Sequence, residues 1–416
     1  MSQSLKPTKF DFFAYGAFSA YALCSLSIPL VLVAMANDLH FPLADGGMAA
    51  GGGLHMARSI AMVVALLMCG SVAGRLGNRI SMGGSMVLMG TGILFCAFSD
   101  VYWLLIPLLL LAGFGEGLCE GVATPFVQQL HPDEPERYVN IAHSFWSVGI
   151  VICVLFSGGL LTLGISWRVV LCFCGVLALL SAVPFFIWRN YPERSNTVDT
   201  GEVIRQSIAI FKTPRFWVYS AGMFMGAGSE FCLTFWAASF LELNFSASAF
   251  VAGLGTGTVA VGMFVGRNLT GYFGNRRRMP RILLGAGLGT IPVTLLLAFL
   301  TPETVTDKAL LFTLLFLTLF LCGIGISPFW PTLQVHGVNN LPELDSTMLY
   351  IYFSAWGVPG CGFFTWIMGV LGDRYGLQNA FLLIPSTLIF FAAIIFLEHW
   401  IFKNKRPECV THDAAG

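Results

Sequence analysis

The sequence predicts an all-α membrane protein with 12 transmembrane helices in two pseudo-symmetric six-helix bundles. Three observations carry that prediction. Of 416 residues, 56% are hydrophobic and only 11% charged; apolar runs of about 20 residues recur along the whole chain; and the second half repeats landmarks of the first. A water-facing surface would need about a quarter charged residues, so this one meets the lipid bilayer. Lys plus Arg and Asp plus Glu both number 22, and zero net charge gives no sign of a nucleic-acid partner.

A window long enough to cross about 30 Å of hydrocarbon places spans at 10–35, 47–73, 82–99, 102–130, 139–163, 167–188, 215–241, 248–273, 280–300, 309–335, 346–371 and 379–402. The first follows Lys6 and Lys9 and is too long for the apolar core of a signal peptide. Of the 22 basic residues, only Arg168, Lys308 and Arg374 fall in loops on the far side from the N-terminus, while Arg58 and Arg267 lie within spans. That bias predicts a multi-pass protein of the cell (inner) membrane with both termini cytoplasmic. The longest polar stretch separates spans six and seven, which divides the chain into a bundle at 1–188, a cytoplasmic linker at 189–214, a second bundle at 215–402 and a tail at 403–416.

The halves repeat. Gly74-Arg75-Leu76-Gly77-Asn78-Arg79 after span two has its partner in Gly271-Tyr272-Phe273-Gly274-Asn275-Arg276 after span eight. Phe145, Gly149, Gly164 and Phe173 match Phe353, Gly357, Gly372 and Phe381 at one constant offset. Duplication of a six-helix unit accounts for both series. The glycines of the loops let helices approach closely, and their arginines are suited to bind helix C-terminal carbonyls or to fix topology by charge.

Ionisable side chains inside a span each need a partner, a wet cavity or a task, since each costs at least about 2.5 kcal/mol. The candidates are His55 and Arg58, Glu116 and Glu120, His143, Glu230 and Arg267. Glu116 and Glu120 share one helix face, so a compensating cation or a proton is required there. Arg58 lies at a depth where it either pairs with Glu116 or attracts an anionic substrate. Glu230 lies near mid-membrane, and Arg267, one turn before the second Gly-rich loop, is expected to snorkel to the interface as a structural residue.

Other motifs are bland. The 11 cysteines form no Cys-x-x-Cys pair and read as small buried hydrophobes, so neither a metal site nor a cofactor is expected. Glycine runs on spans four, eight and nine follow no strand and carry no phosphate-loop Lys; they read as helix-packing surfaces. No hydrolase or zinc-protease motif is present, so the chain is not expected to be an enzyme.

The paired Gly-rich loops resemble the signature of the major facilitator superfamily, with Asn78 where an Asp is common. Glu120-Gly121-Val122-Ala123-Thr124-Pro125-Phe126 and Asn140-Ile141-Ala142-His143-Ser144-Phe145-Trp146-Ser147-Val148-Gly149 resemble segments of its fucose permease branch. So do Gly228-Ser229-Glu230 with Trp236, and Trp330-Pro331-Thr332 with Gly337-Val338-Asn339-Asn340-Leu341. The resemblance implies a major facilitator fold and a sugar:proton symporter working by alternating access. Its proton-coupling carboxylate falls on Glu120, with Glu116 or Glu230 substituting for an acid that span one lacks here. The expected substrate site is Glu120, Arg58, Asn140, His143, Trp146, Glu230 and Trp236, with Gly74, Asn78, Arg79, Arg267, Gly271, Asn275 and Arg276 as gating or structural residues. A small-molecule substrate and protons are the expected partners of a monomer. Two other readings are a carrier of an organic anion such as a sugar acid, dependent on Arg58, and a non-transporting membrane sensor.

Overall fold

The computed structural model describes residues 6–131, 135–192, 200–273 and 277–402, apart from the side chains of 135–137, 140, 200 and 202. Helices α1 (Lys9–Asp38), α2 (Met48–Leu76), α3 (Asn78–Cys96), α4 (Tyr102–Leu130), α5 (Pro135–Thr162) and α6 (Trp167–Ile187) build the first bundle. A short helix, α7 (Thr200–Lys212), lies in the stretch read as a polar linker. The second bundle holds α8 (Pro214–Phe245), α9 (Ala249–Phe273) and α10 (Met279–Phe299), followed by α11 (Lys308–Ile326) with α12 (Pro331–Asn339), α13 (Ser346–Tyr375), and α14 (Leu377–Ala380) with α15 (Leu383–Ile401).

Among the described residues, 11 helical segments are long and apolar enough to cross a membrane. The twelfth, α8, is 32 residues long but carries Arg215, Glu230 and Glu242, which lowers its hydropathy without shortening it. The tenth span, expected to be continuous, is broken at 327–330. Pro328 lies in the break and Pro331 begins α12, and a proline there can neither donate to the helical ladder nor clear the preceding turn.

Each bundle uses the same contacts. Gly113 and Gly117 of α4 leave no room for a Cβ against the Arg58 and Met62 carbonyls of α2. Gly262 of α9 and Gly323 of α11 meet the Phe320 and Val259 carbonyls in the same way. Small residues at such seams replace the hydrophobic drive that lipid removes. The pairing of second with fourth helix thus recurs across the duplication.

The two bundles meet most closely at the face away from the N-terminus, here the far face, where α2 packs on α13 and α5 on α9. Both seams carry one device. The Asp373 carboxylate of α13 accepts from the Met48 and Ala49 amides at the start of α2, both at 2.8 Å. Across the pseudo-twofold, Thr162 Oγ1 of α5 accepts from the Phe250 amide at the start of α9 at 3.0 Å. α2 has no side-chain cap of its own and borrows Asp373 from the opposite bundle, whereas α9 has a long one from Ser248, 3.4 Å from the Val251 amide, and gains Thr162 of the opposite bundle beside it. Their free N–H groups and positive dipole ends make the loan favourable, by about 0.5–2 kcal/mol per cap. Asp373→Ala combined with Thr162→Val is expected to raise the maleimide labelling rate of a Ser59→Cys probe, buried on α2 against Gly362, about tenfold. Unchanged labelling would show that apolar packing alone seals the face.

Candidate functional site

Glu116 and Glu120 share the inner side of α4 but serve different partners. Glu116 Oε2 lies 3.1 Å from Arg58 Nε of α2, in an ion pair that is 2% and 0% exposed. The rest of the guanidinium is taken by α1, with the Ser25 carbonyl at 3.0 Å from both terminal nitrogens and the Ser25 hydroxyl at 2.6 Å. Among the described residues Glu116 accepts no aligned hydrogen bond, so Arg58 is what holds its charge in the core. Of the two tasks open to Arg58, the structure shows pairing, and Arg58 has no face on the path between the bundles.

Glu120, one turn further along, lies on that path. Its Oε1 is 3.4 Å from the Ser354 hydroxyl of α13, in the other bundle. Ser354 in turn accepts from Gln334 Nε2 of α12 at 2.8 Å. Trp330, in the break between α11 and α12, lies near Glu120. Broken helices at mid-membrane are tolerated where the freed backbone lines a cavity, and this break brings an indole near the carboxylate. The cavity there is about 30 Å³, lined among others by Glu120, Thr124, Gln128, His143, Gln334 and Ser354. It runs toward the face bearing the N-terminus, here the near face. A volume of about one water means a larger solute must part the bundles to enter.

His143 Nε2 pairs with the Thr124 hydroxyl at 3.3 Å, and its ring lies against Phe18, tilted by 46° at 4.5 Å. Beside it, Arg267 Nη2 of α9 lies 3.3 Å from Glu230 Oε1 of α8. The guanidinium also sits 5.8 Å from the Trp146 ring of α5. The expectation that Arg267 snorkels to the interface is therefore corrected: a buried carboxylate within reach is a better partner than the interface, and the guanidinium pairs with it while the side chain stays 21% exposed. Glu120, Glu230 and Arg267 form one electrostatic group that joins the bundles.

Trp236 is corrected as well. It is fully buried among the described residues, and its indole donates to the Thr365 carbonyl at 3.0 Å, so it joins α8 to α13. His55 stacks on Phe231 at 5.1 Å between the bundles. Asn140 lies on α5 with its side chain outside the described residues, and Asn275 and Arg276 lie outside them entirely. In the first Gly-rich loop, Gly77 adopts φ +80, which favours glycine. Asn78 starts α3, and Arg79 donates to the Phe185 carbonyl in the last turn of α6. Gly74 and Gly271 are both exposed. Ser354, Gln334 and Trp330 were not singled out as site residues; a hydroxyl or amide on an apolar span gives only a weak signal, although the Trp330-Pro331 pair marks the break.

Residues 13–363 match the family model of the Major Facilitator Superfamily. No curated protein matches the sequence. Among solved structures, a bacterial homologue of the human lysosomal transporter Spinster, inward-facing and occupied, is 17% identical, covering 98% of this chain and 100% of its own, with TM-score 0.73. A D-xylose-proton symporter is 14% identical over 93% of this chain and 96% of its own, with TM-score 0.74. The E. coli fucose:proton symporter is 18% identical over 93% and 98%, with TM-score 0.64.

Proposed function

Because the chain belongs to the major facilitator superfamily, whose members are transporters rather than enzymes, we propose that it carries a small polar solute, a sugar, by proton-coupled alternating access. The observation that supports this best is Glu120: a carboxylate on the path between the bundles, held by a hydroxyl of the opposite bundle and surrounded by hydroxyl, amide and imidazole groups. Such a lining suits a neutral polyhydroxylated solute, which exchanges hydrogen bonds with it one for one. The fold likeness to xylose and fucose symporters agrees with that chemistry.

In this reading the basic near face is cytoplasmic, with both termini there, and the membrane is the cell membrane. With a cavity of only about one water at Glu120, this form admits no solute from the near face, and the bundles 1–188 and 215–402 rock about Glu120 to open it. Glu120 cycles the proton, with Glu230 and Arg267 balancing charge from the other bundle. His143, Trp146 and Asn140 complete the solute site on the first bundle, and Gly74, Asn78 and Arg79 with Gly271, Asn275 and Arg276 flank the near-face gate. The engagement of Arg58 by Glu116 and Ser25 favours this reading over the organic-anion one.

The purified protein is expected to gain thermal stability with one or more neutral aldoses, L-fucose and D-xylose among them, and less with uronic acids, because a ligand that binds the folded state stabilises it. Stabilisation by uronic acids alone would overturn the neutral-sugar reading.

A further inference from the structure

The short helix α7, between the two bundles in sequence, packs on α8 and on α13 of the second bundle, and its sequence has a helical period. Val203, Ser207 and Ile210 fall on one side, Ile204, Ile208 and Phe211 beside them, and Arg205 and Lys212 opposite. The first group is used by the protein. Ile210 is buried, and Ser207 Oγ shares a 2.7 Å hydrogen bond with the Tyr352 hydroxyl of α13. Among the described residues the second group is largely uncovered: Ile204 is 55%, Ile208 47% and Phe211 39% exposed.

Those exposed side chains are continuous with an aromatic cluster at the ends of two spans. The Phe211 ring lies 4.9 Å from Tyr352 and 5.9 Å from Trp217, and Trp217 meets Trp356 at 5.1 Å. Trp217 and Trp356 are themselves partly exposed on the flank of the bundle. Aromatic residues in that position mark the boundary between hydrocarbon and headgroups. A helix with an exposed apolar stripe, basic residues along the border of that stripe away from the protein, and its end in such a belt has the form of an interfacial helix.

We propose that α7 is an anchor in the bilayer interface, its Ile204, Ile208 and Phe211 stripe seated among the lipid chains of the near-face leaflet. The partner is a lipid surface, reached by apolar contact and bordered by Arg205 and Lys212 at headgroup level. Through Ser207 and Tyr352 the anchor holds the near-face half of α13, the helix that presents Ser354 to Glu120. The second bundle therefore moves against a fixed lipid plane when the site opens. This inference needs no particular solute.

The test places a nitroxide at Ile208→Cys or, separately, at Arg205→Cys, in full-length protein in which Cys172 and Cys409 are replaced by Ser, reconstituted in phosphatidylcholine vesicles. Accessibility to dissolved oxygen and to a water-soluble nickel chelate is compared between the two sites. The label at 208 is expected to be open to oxygen and shielded from nickel, with the label at 205 reversed. Equal nickel access at both sites would overturn the proposal by placing the stripe in water. Shielding of 208 from both reagents would also overturn it, because another protein surface would then cover the stripe. A second label at Ile204→Cys guards against a local effect of one substitution and should behave as 208 does.

Discussion

Arg58→Met lowers the stability of the protein by about 3–5 kcal/mol, the usual cost of leaving a buried charge without its partner. The loss follows from how few alternatives Glu116 has. It is fully buried, and among the described residues it pairs with Arg58 alone and receives no aligned hydrogen bond. The Ser25 carbonyl loses its donors at the same time, which loosens α1 against α2. Arg58→Met combined with Glu116→Leu should recover most of the stability, since a buried ion pair replaced by apolar groups of similar volume is often neutral or better. Thermal unfolding of the purified protein reads both. A single variant as stable as the parent would mean that the pair is not what holds these three helices. If instead Arg58 is part of the solute path, the double variant would stay folded but lose transport; with the geometry found here it keeps transport.

That pair shows how far the sequence could be read. The depth of each ionisable residue follows from helical rise, so contact between Arg58 and Glu116 was within reach of the sequence. Azimuth does not follow, because it is set by which seam a helix joins. Arg267 and Trp236 illustrate this: one turns to the centre because Glu230 is there, and the other leaves it because Thr365 offers a buried carbonyl.

The twelve spans were legible because lipid permits few alternatives to a helix satisfied within itself. Even α8 was found, despite its three charges. The break at 327–330 was not, since Phe329 and Trp330 keep the stretch apolar while two prolines end the helix. The far-face caps were also hidden. Asp373 and Met48 are 325 residues apart, and the one local hint is that the chain before α2 reads Gly46-Gly47, with no capping side chain of its own. The linker was read as polar from its charges, yet Val203, Ile204, Ile208 and Phe211 recur at a helical period that separates α7 from a plain connection.

Glu120 carries the largest functional expectation. Its amide isostere keeps the shape and accepts the same hydrogen bond from Ser354, but it cannot take up or release a proton. If Glu120 is the proton site, the solute should still pass through Glu120→Gln, because binding and rocking need only the hydrogen bonds. What disappears is the link between solute and proton gradient. For one proton per solute, each unit of pH difference supports an accumulation of about tenfold, since about 1.4 kcal/mol corresponds to that ratio.

The most direct measurement is therefore made on proteoliposomes loaded with a solute identified by thermal stabilisation, comparing exchange of labelled solute at equal pH with net uptake against an imposed pH difference. The account predicts that Glu120→Gln exchanges solute at a rate near that of the parent while its accumulation ratio falls to about one. Accumulation retained at the parent level would contradict it and move the proton site elsewhere in the membrane.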